Sequence, residues 1–330
     1  MTERQKLFCN IQNISTQDFD KLALRVFHYQ ARCNPVYQKF LQILQIPILD
    51  VQSIQEVPFL PVEIFKHHQV QTGTWMAQRV FTSSGTSKQQ VSQHYVRDLS
   101  FYARHSIQTF EQVYGNLQDY VVLALLPSYL ERTGSSLVYM VQQFINRSEQ
   151  PESGFFLYNT GELSELLKKL LKKGKPVLLL GVTYALLDFA RDFAQPLHDV
   201  VIMETGGMKG RRKEMIRSAV HEVLKDAFQV PFIHSEYGMT ELLSQAYALR
   251  DGRFRPASSM QILVRDSSDP FALLDVGQAG SLSVIDLANL DSCSFITTDD
   301  LGRVHADGSF EVLGRLDASD LRGCNLLIAD

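Results

Sequence analysis

An α/β fold, with a helix-covered parallel or mixed sheet and a small β-rich subdomain near the C-terminal end, is what this sequence predicts, on three observations. Between residues 120 and 228, short apolar runs alternate with longer helical patterns, the signature of parallel strands joined by crossover helices. After Pro256 the texture changes to short strands divided by turns, which predicts an antiparallel or barrel-like part. No internal repeat, low-complexity tract or long polar linker interrupts the 330 residues, a length that buries a substantial core. The expected organisation is one large domain over 1–313, its β-rich part at about 256–313, and a hinge with a short stub at 314–330.

The elements follow in order. Residues from Asp18 to about Leu44 have helical spacing broken near Pro35, and "DVQSIQEVPFLPVEIFKHH" reads as an irregular connection because of its two prolines. "RDLSFYARHSIQTFEQVY" at 97–114 is helical and stops at Gly115. Next come a strand in "YVVLALLPS", a helix through "SSLVYMVQQFIN", a strand in "GFFLYN" and a helix in "ELSELLKKLLKK". The strand "PVLLLG", the helix "YALLDFARDF", the strand "VVIME" and a helix from about Lys209 to Phe228 continue the alternation. "MQILVRD", "GSLSVIDL", "CSFITTDD" and "SFEVLGR" supply the late strands.

Composition excludes several classes of function. Hydrophobic residues at 45% and charged residues at 21% are those of an ordinary globular protein. No apolar run approaches the roughly 20 residues of a membrane helix. The N-terminus "MTERQKLFCN" is polar and charged rather than a secretory signal, and a cytoplasmic protein is expected. A net charge of −4 gives no reason to expect nucleic acid; the basic run "MKGRRKEMIR" is local and reads as a solvated helix face. Cys9, Cys33, Cys293 and Cys324 lack metal-ligand spacing and read as free thiols.

Four segments could carry chemistry. "TSSGTSK" at 82–88 follows the apolar pair Val80 and Phe81. A turn after a strand aims backbone N–H groups into a concavity, hydroxyls add donors and Lys88 adds charge, a combination suited to polyphosphate. The plain alternative is a Ser/Gly-rich turn. In "HSEYGMTELLSQAY" at 234–247, Tyr237, Thr240 and Glu241 are spaced i, i+3, i+4, which on a helical turn gathers ring, hydroxyl and carboxylate on one side; the alternative is Thr240 capping a helix. "TTDDLGRV" at 297–304 sets two carboxylates between strand and turn, and "GRLDASDLRGCN" follows from 314.

In kind and order these segments resemble the signatures of the AMP-forming adenylating enzymes, the superfamily of acyl-CoA synthetases, luciferases and peptide adenylation domains: a "SSGTTG" loop, a "YGxTE" segment, a "TGDLG" segment and a "GRxD" hinge. The resemblance runs from residue 82 to 323 and is greatest to the LuxE-like acyl-protein synthetases, through "ETGGMKGRR" at 204 and "LGRLDASDLRGCNLL" near the end. It implies the large N-terminal domain of that superfamily. It also implies that Ser83, Ser84, Gly85, Thr86 and Lys88 hold the phosphates of ATP, and that Gly206 and Gly207 let backbone pass close to the adenine or acyl pocket. By the same carry-over Tyr237 stacks on adenine, Thr240 contacts phosphate, Glu241 binds Mg2+, Asp300 accepts the ribose hydroxyls and Arg315 lies nearby at the hinge. The loop departs from the family pattern in reading "SSGTSKQQ", without the second glycine and proline before the lysine.

The family's small C-terminal domain, which brings a lysine over the site, is expected to be essentially absent, with Lys88, Lys209, Arg211 or Arg212 as candidates to supply its charge. In LuxE-like enzymes the acyl group passes to a cysteine near the C-terminus, and Cys324, beside Arg322, fits that placement; a small buried apolar residue is the alternative. His94 and His234 are either acyl-site residues or ordinary core or surface histidines. The implied activity is ATP-dependent activation of a carboxylic acid, a fatty one on the resemblance, as its acyl-adenylate, with transfer to a thiol. The acceptor would be Cys324, CoA, a carrier protein or a partner reductase. Alternatives are a CoA ligase resembling phenylacetate-CoA ligase and a degenerate nucleotide- and acyl-binding protein.

Overall fold

The break at Pro35 is real and has a local cause. The Asn34 side chain caps the helix that Pro35 begins, accepting from the N–H groups of Val36 and Tyr37 at 3.1 Å each, and proline at the first helical position costs no hydrogen bond. The computed structural model describes residues 1–83, 90–127, 134–206 and 215–316. It divides into two compact units: one from Met1–Trp75 with Ser258–Asp330, the other from Met76–Ala257.

The first unit opens with α1 (Glu3–Gln12), α2 (Phe19–Cys33) and α3 (Pro35–Ile43), followed by β1 (Leu60–Pro61) and the single turn α4 (Ile64–His67). Thr2 and Gln5 form a capping box at the start of α1. Between Ile43 and His67 the chain is otherwise irregular, as the two prolines predict.

In the second unit β2 (Arg79–Thr82) and β3 (Gln93–Val96) form an antiparallel pair. Then come α5 (Leu99–Tyr114), β4 (Val121–Leu125), α6 (Ser136–Ser148), β5 (Gly154–Phe156), α7 (Thr160–Lys172), β6 (Val177–Val182), α8 (Thr183–Asp192), β7 (Val200–Thr205), α9 (Arg217–Phe228) and β8 (His234–Tyr237). The hairpin strands β9 (Ala246–Ala248) and β10 (Arg253–Pro256) complete it. The sheet order is β5-β4-β6-β7-β8-β9-β10, parallel through β8 and antiparallel thereafter. Every residue of β4 and β6 is buried, so their apolar runs reflect a sheet covered on both faces. On one face Phe110 of α5 packs against Phe144 of α6 at 5.1 Å between ring centroids; on the other Phe189 of α8 meets Phe228 of α9 at 5.7 Å. Burying each such ring contributes about 2–3 kcal/mol.

The chain returns to the first unit with β11 (Met260–Arg265), β12 (Gly280–Asp286), β13 (Phe295–Val304) and β14 (Phe310–Arg315), paired antiparallel in that order, with β1 parallel to β13. Phe295 stacks against Tyr37 at 6.4 Å and meets Phe27 edge-on at 6.0 Å, tying this sheet to α2 and α3.

Two expectations need correction. The helix expected from about Lys209 begins at Arg217; residues 207–214 lie outside the described part, and Met215 and Ile216 are not helical. "YGMTE" is not helical either: β8 ends at Tyr237, and Thr240 and Glu241 form a turn closed by the Leu242 N–H donating to the Met239 carbonyl at 3.2 Å. Neither the i, i+3, i+4 face nor the Thr240 helix cap therefore exists.

Candidate active site

Parallel strands present their last residues and following turns along one edge, where ligands of open α/β sheets bind. At this edge β7 and β8 each end on polar residues, and register sorts them by face. Thr205 pairs with Glu236 and Glu236 with Tyr247 on β9, so these three side chains lie in one row on one face. Glu204 pairs with Ser235 and points to the opposite face.

On the Glu204 face a hydrogen-bonded network is built. The Thr183 hydroxyl at the start of α8 lies 3.0 Å from Glu204 Oε2 and 2.9 Å from the Gly206 carbonyl oxygen. Arg217 Nε donates to Glu204 Oε1 at 3.1 Å, and His221 Nε2 lies 3.6 Å from the same oxygen. Burial alone would push the Glu204 carboxyl up. The His221 imidazole, the Arg217 guanidinium and the Ser235 hydroxyl outweigh it and hold the group below the usual glutamate range. The network anchors Gly206, whose φ of +69° is a left-handed conformation that glycine adopts without strain.

The Glu236 face is different. Thr205 Oγ1 donates to Glu236 Oε2 through a short hydrogen bond. Burial, opposed by that bond and reinforced by the charge of Glu204, pushes the Glu236 carboxyl up to about 7. Helix α5 covers this face: Tyr247 meets Phe110 edge-on at 5.8 Å and Tyr114 at 5.6 Å, and His105 Nε2 is 2.9 Å from Ser244 Oγ. Beyond β8, an ideal Cβ on Gly238 would lie 2.6 Å from Glu236 Oε1, so the bare glycine leaves room for the carboxyl group. Gly238→Ala is expected to cost about 1–3 kcal/mol in thermal or urea unfolding. The same substitution in a Glu236→Ala background should cost clearly less, since the colliding atom is gone.

The expected site residues fall as follows. Ser83, just after β2, donates its N–H to the Ser92 carbonyl at 3.1 Å, and its hydroxyl accepts from the Ser92 N–H at 3.0 Å. Tyr237 is buried, with its ring 5.8 Å from Phe254. Thr240 presents its carbonyl to His94 Nδ1 at 2.8 Å, which makes His94 a buried link between β3 and the turn after β8. Glu241 is buried in that turn. Tyr237, Thr240, Glu241, Gly206 and Ser83 thus all belong to the second unit. His234 faces the Tyr114 hydroxyl at 3.3 Å, and burial pushes its pKa down to about 4.

Asp300 and Arg315 belong to the first unit. They are register partners on β13 and β14 and form an ion pair at 3.4 Å. Ser84, Gly85, Thr86, Lys88, Gly207, Lys209, Arg211, Arg212 and Cys324 lie outside the described residues. Cys9, Cys33 and Cys293 are free thiols. No described helix is long and apolar enough to cross a membrane.

Sequence reasoning missed Glu204, Glu236, Thr183 and Tyr247. A signal was present: "VVIMET" and "FIHSEY" each carry a glutamate near the end of an otherwise buried strand, where an acid is found only with a partner or a purpose.

No protein-family model matches the chain, and no curated protein sequence matches it. Solved structures do. A 2-hydroxyisobutyryl-CoA ligase in complex with 2-HIB-AMP and CoA superposes with a TM-score of 0.69 at 12% identity, over 94% of this chain and 70% of the ligase. ATP-bound MatB from Rhodopseudomonas palustris superposes with a TM-score of 0.54 at 15% identity, over 72% of this chain and 47% of MatB. A chimera of that protein, RpMatB-BxBclM B3 with ATP bound, gives 0.55 at 15% identity over 74% and 49%. The chain spans about half the length of the MatB structures. At these identities the likeness is one of fold: the mixed α/β architecture of this chain is shared with part of each of these structures.

Proposed function

We propose that this protein activates a carboxylic acid with ATP, forming an acyl-adenylate and pyrophosphate, and then passes the acyl group to a thiol. What supports the reading is one conjunction: a fold held in common with ligases solved with ATP or with an acyl-adenylate and CoA, and a "YGMTE" turn at the carboxyl edge of its parallel strands. In the first step the acid's carboxylate oxygen attacks the α-phosphorus and the bond to pyrophosphate breaks. In the second a thiolate attacks the acyl carbon and AMP leaves. Neither step needs a covalent bond to the adenylation site; the work there is alignment and stabilisation of negative charge.

The family resemblance gives the described residues their parts. Tyr237 is an aromatic ring at the strand end, Glu241 is a buried oxygen donor of the kind Mg2+ takes, and Asp300 offers two acceptor oxygens to ribose hydroxyls. Mg2+ would neutralise phosphate charge. The phosphate loop at 83–88, the glycines at 206 and 207, and Arg315 complete the assignment. In the LuxE-like form of the reading, a fatty acyl group moves to Cys324 and on to a carrier protein or partner reductase. In the CoA-ligase form, favoured by the CoA in the 2-hydroxyisobutyryl-CoA ligase complex, it moves to CoA directly.

ATP/pyrophosphate exchange with Mg2+ and a panel of carboxylic acids tests the first step, with Cys324→Ala and Glu241→Gln beside the parent protein. Acid-dependent exchange that survives Cys324→Ala and drops at least tenfold in Glu241→Gln is expected. Intact mass of the parent after incubation with ATP and acid then separates acyl-Cys324 from transfer to CoA. ATP binding without exchange for any acid would instead mark a nucleotide-binding protein.

A further inference from the structure

On the Glu236 face the carboxyl edge holds three buried oxygens that the adenylation reading does not use. Glu236 is 7% exposed, and its one hydrogen bond among the described residues is from Thr205 to Oε2. No cation pairs with it among those residues, and the charge acting on it is the like charge of Glu204. Tyr247, its cross-strand partner, is 1% exposed, and its hydroxyl has no hydrogen-bond partner among the described residues. The Tyr247 hydroxyl feels the Glu236 carboxyl directly. Gln245 is 2% exposed; its Nε2 donates to the Leu243 carbonyl at 3.3 Å, which leaves Oε1 without a donor among the described residues. Glu236 and Gln245 flank one glycine: the Cβ position of Gly238 is 2.6 Å from Glu236 Oε1 and 3.7 Å from Gln245 Cγ.

Buried polar atoms are nearly always paired, and an unpaired one is costly. What this group lacks is hydrogen-bond partners and, once Glu236 ionises, donors and one positive charge. A primary ammonium carries three N–H donors, one positive charge and no acceptor. A hydroxyl brings one donor and no charge, and a water two donors and no charge.

We propose that the carboxylic acid activated by this protein carries a primary amine, received by Glu236, Gln245 and Tyr247. This rests on the adenylation reading for the acid's other end, and it replaces the wholly apolar chain implied by the family resemblance. A site built to bond an amine rejects the isosteric methyl compound because its own polar groups are then left unpaired. The raised titration of Glu236 agrees, since an ammonium would supply the charge that keeps it ionised.

Two measurements on the full chain test this. In the first, binding of n-butylamine is compared with that of n-butanol by calorimetry or saturation-transfer NMR, for the parent protein and Glu236→Gln. The amine is expected to bind and the alcohol not, with a loss of at least tenfold in Glu236→Gln. In the second, ATP/pyrophosphate exchange is measured for linear ω-amino acids of increasing length and their methyl-terminated isosteres. The parent should favour the amino acid of the best length by at least tenfold in kcat/KM, and Glu236→Leu should reverse that order. The near-isosteric Glu236→Gln carries the comparison if the Leu variant does not fold. Exchange restricted to apolar acids sinks the amine site and keeps adenylation. Amine binding with no exchange for any acid keeps the amine site and sinks adenylation, and absence of both sinks both.

Discussion

Replacing Arg265 by alanine is expected to destabilise the protein by about 3–5 kcal/mol, since four backbone carbonyls lose a charged donor at about 1–3 kcal/mol each and water recovers part of the loss. Arg265 ends β11 and is 2% exposed. Its fork reaches two separate stretches of chain: Nη1 donates to the carbonyls of Pro270 and Phe271 at 3.1 Å each, and Nη2 to those of Gln55 and Val57 at 2.9 and 3.1 Å. The guanidinium also lies 5.1 Å from the Phe59 ring centroid. One side chain therefore fastens the irregular 51–59 segment and the 266–274 turn to the same strand.

Arg265→Lys should recover less than half of the loss, because one ammonium cannot span both stretches with a planar fork. Arg265→Met keeps the apolar stem and removes the charge, so it separates packing from hydrogen bonding. Urea unfolding gives the free energy. Limited proteolysis should show new cleavage at 51–57 and 266–272 before any in the second unit. A loss under 1 kcal/mol for Arg265→Ala would show that the four carbonyls are equally well served by water.

Arg265 also shows where the sequence stops speaking. "MQILVRD" reads as a strand because its apolar residues alternate, but nothing in the heptapeptide says that its arginine turns inward to four carbonyls, two of them more than 200 residues away. The alternation from β4 to β8 was legible for the opposite reason: burial on both faces writes itself as continuous apolar runs such as "PVLLLG". Helix α1 was not legible, since only Leu7 and Ile11 are buried along it. The helix expected on "YGMTE" failed because i, i+3, i+4 spacing is also met by a strand end and a turn, and five residues with one glycine cannot separate the two.

Short motifs single out Tyr237, Thr240 and Glu241 in one segment and Asp300 in another; no such motif marks Glu204 or Glu236. Glu204 and Glu236 differ by face rather than by motif. Glu204 follows the apolar run "VVIM" and Glu236 the mixed "FIHS", and each precedes a Thr or Tyr and a glycine. The face set by register gives Glu204 the arginine and histidine of α9, and gives Glu236 a threonine and a tyrosine whose hydroxyl has no partner among the described residues. Long-range pairing of this kind cannot be read from one chain's local pattern.

That difference leads to a pH-dependent stability that one substitution should remove. Glu236 titrates near 7 in the folded protein, against an ordinary value of 4.5. Between those values the folded state holds a proton that the unfolded chain has released, so the free energy of unfolding falls as pH rises through the window. At about 1.4 kcal/mol per pH unit the loss amounts to roughly 3 kcal/mol by pH 8. Glutamine has no proton to lose. Glu236→Gln should therefore match the parent near pH 4.5 and exceed its stability by roughly 3 kcal/mol at pH 8, in urea unfolding at closely spaced pH values.

The groups facing Glu236 do not blur the comparison. Tyr247 and Tyr114 stay protonated in this range, burial pushing both well above the ordinary tyrosine value. The Glu204 carboxyl is held below the usual glutamate range by His221, Arg217 and Ser235. His234, lowered to about 4, acts in the opposite sense: it costs stability as pH falls below 6.5, and it does so equally in both proteins. Superimposable pH profiles for parent and Glu236→Gln would mean that the carboxyl is solvated or has a cationic partner. A primary amine bound at the site should flatten the parent's profile above pH 6, because its charge repays the ionisation of Glu236, and should leave the glutamine variant unmoved.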